Sequence, residues 1–303
     1  MTDTFETEPF AGVYPAITTP FHEDGSIDFE TLRADVRRLE TAGVDGIVPC
    51  GSTGESATLT HDEHVEVVEA VVDAAEDVPV IAGAGSNATH EAVSLSERSE
   101  AAGADALLHI SPYYNNPEPA GMENHYRRVA EAVDVPIVVY NVPGRTGRDI
   151  DVETTLSLAE HPNITGYKAA SGDMGKISEI IENTRDREFS VISGDDGMTY
   201  PILAAGGVGT ISVAANVRPE MVSDLVGNAL SGDHERAREI HHRLGPLFRT
   251  LFIETNPIPV KEAMAIEFDH PPHVRLPLSR LAPEHREELA GVLDALPEEV
   301  ATA

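Results

Sequence analysis

The sequence predicts an α/β fold: a (β/α)8 barrel followed by a C-terminal helical extension. Three observations predict it. Short apolar runs alternate with longer amphipathic runs eight times within about 220 residues. Several short runs are almost continuously apolar, as strands buried on both faces of a parallel sheet must be. The passages from helix to strand repeat one device. "TAGVDGIV" and "AAGADALL" each end a helix at glycine and enter a strand through aspartate, and "EDVPVIA" is echoed by "VDVPIVV". A doubly wound open sheet should instead carry a glycine-rich nucleotide turn after its first strand, and "AITTPFHEDGS" is not one.

The elements follow in order. The first strand is "GVYPAITTP" (12–20), with a helix at about 28–42. "GIVPC" (46–50) leads to a helix at about 61–76, where "HDEHVEVVEAVVDAAEDV" keeps apolar residues at helical spacing between carboxylates. "VPVIAGAG" (78–85) and "ALLHIS" (106–111) precede helices at about 89–102 and 122–133. "VPIVVYNVP" (135–143) and "NITGYKA" (163–169) precede helices at about 152–160 and 174–184. "FSVISGD" (189–195) and "GVGTISVAA" (207–215) precede helices at about 196–205 and 217–230. After residue 230 strands stop, and "DHERAREIHHRLGPLFRTLF", "NPIPVKEAMAIEF" and "APEHREELAGVLDAL" read as helices. The organisation expected is a catalytic barrel over 1–230 and a helical domain over 231–303.

Composition narrows the function. The 303 residues carry 52 carboxylates against 21 lysines and arginines, a net charge of −31. Phosphate binding needs a basic surface, so nucleic acid and anionic membranes are not expected partners. No apolar run approaches the roughly 20 residues of a membrane helix. The acidic start, "MTDTFETEPF", lacks the basic and apolar regions of a signal peptide. One cysteine, Cys50, allows no internal disulfide, which fits a reducing cytoplasm. Arginine outnumbers lysine 18 to 3 within the 21. Scattered acid with little lysine resembles proteins of salt-rich cytoplasm, where salt screens self-repulsion.

In a barrel, polar residues just after strands face the catalytic rim. "GSTGES" (51–56), "SPYYNNP" (111–117), "YNVPGRTG" (140–147), Lys168, "SGDD" (193–196) and "SVAANV" (212–217) all stand there. Burial lowers a lysine's pKa, and a neutral amine condenses with a ketone to an imine that acidifies the adjacent carbon. A lysine snorkelling to the rim is the structural alternative for Lys168. Lys176 reads as an exposed helix residue and Lys261 as a helix start with its stem packed. Tyr140, on the strand beside Lys168, suits a proton shuttle, with hydroxyls from Ser52 and Thr53. "GSTGES" also offers backbone N–H groups to a carboxylate, or is simply a capped turn. Arg145 could pair with a carboxylate of substrate, or with one of the many surface acids. His61 and His64 have helical spacing, but nothing completes a metal site with them, and no metal is expected. "GAGSNATHEA" lacks the dinucleotide fingerprint, and Cys50 reads as a packed small residue.

Taken in order, "GSTGESATLTHDEH", "PYYN", "YNVPGRTG", "GYKAASGD", "SGDD", "GTISVAANV" and "NPIPVKEAM" resemble the dihydrodipicolinate synthase and N-acetylneuraminate lyase family of class I pyruvate-dependent aldolases, over about residues 10–297. The resemblance implies that Lys168 forms a Schiff base with pyruvate, with no cofactor. It implies that Tyr140, Ser52 and Tyr114 relay protons, Tyr114 reaching in from an adjoining subunit of a homotetramer. Thr53 would contact the pyruvate carboxylate, Gly194 and Ile211 would line the pyruvate site, and Arg145 would receive the aldehyde's carboxylate. The small-molecule substrates implied are pyruvate and L-aspartate 4-semialdehyde, joined on the way to lysine or diaminopimelate. A 2-keto-3-deoxygluconate-type or N-acetylneuraminate-type aldolase is the alternative, because Ser52–Thr53 replaces the synthases' usual two threonines. "GRTG" and "ETNPIPVKEAM" look synthase-like. Ser56, Ala57, His61, His64, Asn87, Glu91 and Tyr113 correspond to a site where some synthases bind lysine as feedback inhibitor.

Overall fold

The computed structural model describes residues 9–296. The acidic N-terminal stretch read as lacking a leader lies mostly outside them. Seven parallel strands form one sheet: β1 (Gly12–Pro15), β2 (Ile81–Gly83), β3 (Ala106–Ile110), β4 (Ile137–Asn141), β5 (Ile164–Ala169), β6 (Ser190–Ser193) and β7 (Gly209–Ser212). Their order is β1-β7-β6-β5-β4-β3-β2. Helices connect them: α1 (Phe29–Thr41), α2 (His61–Val72), α3 (Thr89–Ala101), α4 (Pro119–Ala130), the short α5 (Pro143–Thr146), α6 (Val152–Leu158), α7 (Met174–Thr184) and α8 (Thr199–Ala204).

The eighth strand expected at 46–50 is not a regular strand, yet it closes the ring. On one side Val48 N–H donates to the Pro15 carbonyl at 2.9 Å and Ile17 N–H to the Val48 carbonyl at 3.1 Å. On the other, Ile47 N–H donates to the Pro79 carbonyl, and Ile81 and Gly83 N–H to the carbonyls of Ile47 and Pro49, each at 2.9 Å. The ladder stops there for two reasons. Pro49 has no N–H to give, and Cys50 turns to φ +55°, outside the extended region. The turn sits so close that a Cβ on Gly83 would lie 2.2 Å from the Cys50 carbonyl oxygen, so only glycine fits.

Period-two alternation sorts the side chains. Val138, Tyr140, Ile192 and Ile211 point into the barrel, where they pack with Ala16, Val48, Leu108 and Phe10. Ile137, Val139, Tyr167 and Val191 point outward against the helices. Lys168 is in step with the inward set, because Tyr140 and Ile192 are its register partners on β4 and β6.

Several helices differ from their expected bounds. The run read as 196–205 opens as a 3-10 turn (Asp196–Met198) before α8. The helix read from 217 begins at Pro219 as α9 (Pro219–Ser231), because proline suits a first helical position and cannot donate further in. Gly232, at φ +89°, ends it. Beyond lie α10 (His234–Thr250), α11 (Ile258–Phe268) and α12 (Pro283–Asp294). Their buried residues Leu244, Leu247, Met264 and Leu289 share one core with Leu203 of α8 and Val222 and Leu225 of α9. The extension is thus packed onto the barrel, which brings residues 252–256 to the catalytic rim.

Candidate active site

Lys168 sits on the last full turn of pleat in β5, 6% exposed, with its amine 4.1 Å from the centre of the Tyr140 ring. A Cβ on Gly194 would lie 2.7 Å from Lys168 Cε, so the lysine stem occupies the space that glycine leaves. Burial draws the amine down to about 7; the nearby Asp196 carboxylate opposes this, and Arg145 adds to it. An appreciable share of Lys168 is therefore uncharged near neutral pH, the form that attacks a carbonyl. Burial pushes the Tyr140 hydroxyl up to about 12, so it is a held proton rather than a phenolate.

The amine opens into a cavity of about 220 Å³ at the C-terminal ends of the strands, lined by Ser52, Thr53, Tyr140, Arg145, Lys168 and Gly194 among others. Ser52 and Tyr140 share it without a direct hydrogen bond among the described residues. Thr53 is buried, and its Oγ1 accepts from Asn256 Nδ2 at 2.9 Å. Arg145, on α5, is exposed and forms no ion pair among the described residues; it donates to the Asn256 carbonyl at 3.0 Å instead. Its charge is left facing the cavity. Ile211 is not among the lining residues; it packs below them in the barrel-interior cluster with Tyr140. Tyr114 is 92% exposed, at φ +69° in the loop after β3, and does not reach the cavity of its own chain.

A second cavity of about 590 Å³ adjoins the first and shares Ser52, Tyr140, Arg145 and Asn256 with it. All seven residues matched to an effector site line this cavity. His64 is buried and its Nε2 lies 2.6 Å from the Gly83 carbonyl, which fixes that nitrogen as a donor. Burial holds it down to about 4, so it is a neutral wall residue rather than a free ligand. Glu91 accepts from Ser86 Oγ at 2.7 Å, and Asn87 Oδ1 holds the Tyr113 N–H at 2.7 Å.

The structure corrects the reading of Lys176, and it bears out Lys261 at a helix start with its stem packed while burying its amine as well. Lys176 is not exposed: its side chain is 9% exposed and its amine meets Asp149 at 2.6 Å, because α7 lies against the loop after α5. Lys261 is buried along its whole length. Its amine pairs with Glu55, donates to the His273 carbonyl at 2.8 Å and lies 4.2 Å from the Phe21 ring centre. Burial brings it to about 8, against the pull of Glu55. It faces neither cavity and is a structural charge.

Three residues near the site carried no assignment. Asp196, 2% exposed, accepts from Ser212 Oγ and from the N–H groups of Val213 and Ala214 at 3.0 and 2.9 Å. It ties the turn after β6 to the turn after β7. The other two are Asn256 and Phe252, which come from the helical extension. The double aspartate of "SGDD" marked the first, and "NPIPVKEAM" begins at Asn256 without pointing to a role in the site; nothing local in the sequence marks Phe252.

A closed-ring barrel with a partly neutral lysine in a rim cavity, flanked by a protonated tyrosine and an unpaired arginine, is the arrangement of an imine-forming enzyme acting on an acidic substrate. Comparison with known proteins agrees. The model of the dihydrodipicolinate synthetase family matches residues 9–296. The 4-hydroxy-tetrahydrodipicolinate synthase of Haloarcula marismortui is 66% identical over 287 residues, 95% of this chain and 94% of that protein. The solved dihydrodipicolinate synthase from Aquifex aeolicus superposes with a TM-score of 0.92 at 46% identity, covering 94% of this chain and 97% of that one. The structure of the enzyme from Cyanidioschyzon merolae with lysine bound gives 0.91 at 37% identity, covering 94% and 98%. The chain belongs to the dihydrodipicolinate synthetase family.

Proposed function

We propose that this protein condenses pyruvate with L-aspartate 4-semialdehyde to give 4-hydroxy-tetrahydrodipicolinate. The observation that carries this reading is the Lys168 amine, drawn to about 7 and facing a rim cavity beside Tyr140. The 66% identity to the Haloarcula marismortui synthase supports the choice of reaction. The neutral amine attacks the pyruvate ketone, water leaves, and a protonated imine forms on Lys168. Loss of a methyl proton gives an enamine, whose carbon attacks the aldehyde and forms the new C–C bond. The aldehyde substrate's own amine then attacks the imine carbon, closes the ring and expels the Lys168 amine. Tyr140 and Ser52 move protons in these steps, and Thr53 and Gly194 face the pyruvate. Arg145, which pairs with no carboxylate among the described residues, receives that of the semialdehyde.

Tyr114 completes the relay from a second subunit. Its 92% exposure supports this, since an aromatic ring so placed has no role in its own chain's core. The assembly is a homotetramer of paired dimers, working in a salt-rich cytoplasm. Lysine binds in the larger cavity as inhibitor, with Glu91 holding its α-amino group; the lysine carried by the Cyanidioschyzon merolae enzyme supports this.

Substrate profiling tests the reaction. Purified protein should consume pyruvate only when the semialdehyde is supplied. Cleavage of 2-keto-3-deoxygluconate without semialdehyde condensation would overturn the choice.

A further inference from the structure

Asn256 comes from the extension, far along the chain from Thr53 and Arg145, yet it bonds both of these cavity-lining residues. Its side-chain Nδ2 donates to Thr53 Oγ1 at 2.9 Å, while its backbone carbonyl accepts from Arg145 Nη2 at 3.0 Å. It is 5% exposed, and its Oδ1 is buried with no hydrogen-bond partner among the described residues. An unpaired buried acceptor is a cost, so the amide is not there for stability alone.

The Thr53 contact has a direction. A hydroxyl carries one proton and two lone pairs. Asn256 occupies a lone pair, and among the described residues the Thr53 proton has no acceptor. That proton is therefore free for the cavity that Thr53 lines. We propose that Asn256 is a positioning residue that turns the Thr53 hydroxyl into a donor toward the pyruvate carboxylate, while its backbone anchors the arginine facing the second substrate. This rests on the reading of Lys168 as the pyruvate site.

Asn256→Asp is close to isosteric and keeps a bond to Thr53 but reverses it, because a carboxylate only accepts and so claims the hydroxyl proton. Asn256→Ala removes the bond and leaves the proton free to rotate. The readouts are the KM for pyruvate at saturating aldehyde and the pyruvate concentration that half-saturates borohydride trapping. Asn256→Asp should raise both by about tenfold to a hundredfold, the range of a lost hydrogen bond to a charged group, and should be worse than Asn256→Ala. In a Thr53→Val background, which has no hydroxyl to turn, Asn256→Asp should add less than about threefold. Packing alone would place Asn256→Asp nearer to wild type than Asn256→Ala, and that order overturns the proposal. So do effects that multiply fully in the double variant, which would mark plain charge repulsion. Wild type that traps no pyruvate overturns the Lys168 reading and this proposal together; normal wild-type trapping with unaltered Asn256→Asp overturns the role of Asn256 alone.

Discussion

At the scale of single residues, the site is a contest over one proton. Desolvation draws the Lys168 amine down to about 7, while the Asp196 carboxylate works the other way. The reactive form is the neutral amine, so the rate of imine formation should rise with pH through about 7 and level off above it. Asp196→Asn removes the opposing charge. Lys168 then falls further, and the acid limb of kcat/KM for pyruvate should move to lower pH, by about half a unit or more on the scale of a nearby buried charge. A pH–rate profile checks this; a limb that stays put or moves upward contradicts it. The same lysine was legible in the sequence because only three exist and one lies inside a strand. Lys261 was not. Its partner Glu55 stands 206 residues earlier, and no local pattern pairs two charges across that distance.

At the scale of elements, α11 and the segment after it act as a clamp on the turn that carries Ser52 and Thr53. Glu55, in the left-handed region at φ +53°, holds the Lys261 amine with one oxygen and the Arg275 N–H with the other, at 3.0 Å. Arg275 then forks onto Glu63 of α2 at 2.6 and 2.8 Å. Breaking one side of a wholly buried pair strands the other charge. Lys261→Met should therefore destabilise by about 3–5 kcal/mol, and adding Glu55→Gln should recover much of that. Thermal unfolding of both variants decides; equal melting temperatures for wild type and Lys261→Met would show the pair to be idle.

The elements differed in how plainly they could be read. Helix α2 was plain, because Asp62, Glu66 and Glu69 fall on its exposed face and Val65, Val68 and Val71 on its buried one. The second strand was half legible. "GIVPC" has strand composition, but Pro49 and the backbone turn at Cys50 reduce it to bridges whose role appears only when both neighbours are in place. Asn256 opens the motif "NPIPVKEAM", but its role in the site could not be read, because that depends on the extension folding back over the barrel rim.

At the scale of the whole molecule, the net charge of −31 predicts a salt-dependent stability. Several ion pairs are at the surface, as with Arg98–Asp62 and Arg148–Glu118, and such pairs are worth little individually. The excess carboxylates have no cation to meet and repel one another. Raising KCl from about 0.1 M to about 1 M shortens the screening length from about 10 Å to about 3 Å, which removes most of that repulsion. The melting temperature should rise steadily over that range. A flat or falling curve would mean that the acid is carried without strain.

The central claim is that Lys168, and no other lysine, forms the covalent link to pyruvate. Incubation with pyruvate and borohydride followed by peptide mass mapping tests it directly. Wild type should gain one reduced pyruvyl group on the peptide containing Lys168, and folded Lys168→Ala should gain none. Label on Lys176 or Lys261, or label that persists in Lys168→Ala, would contradict the account.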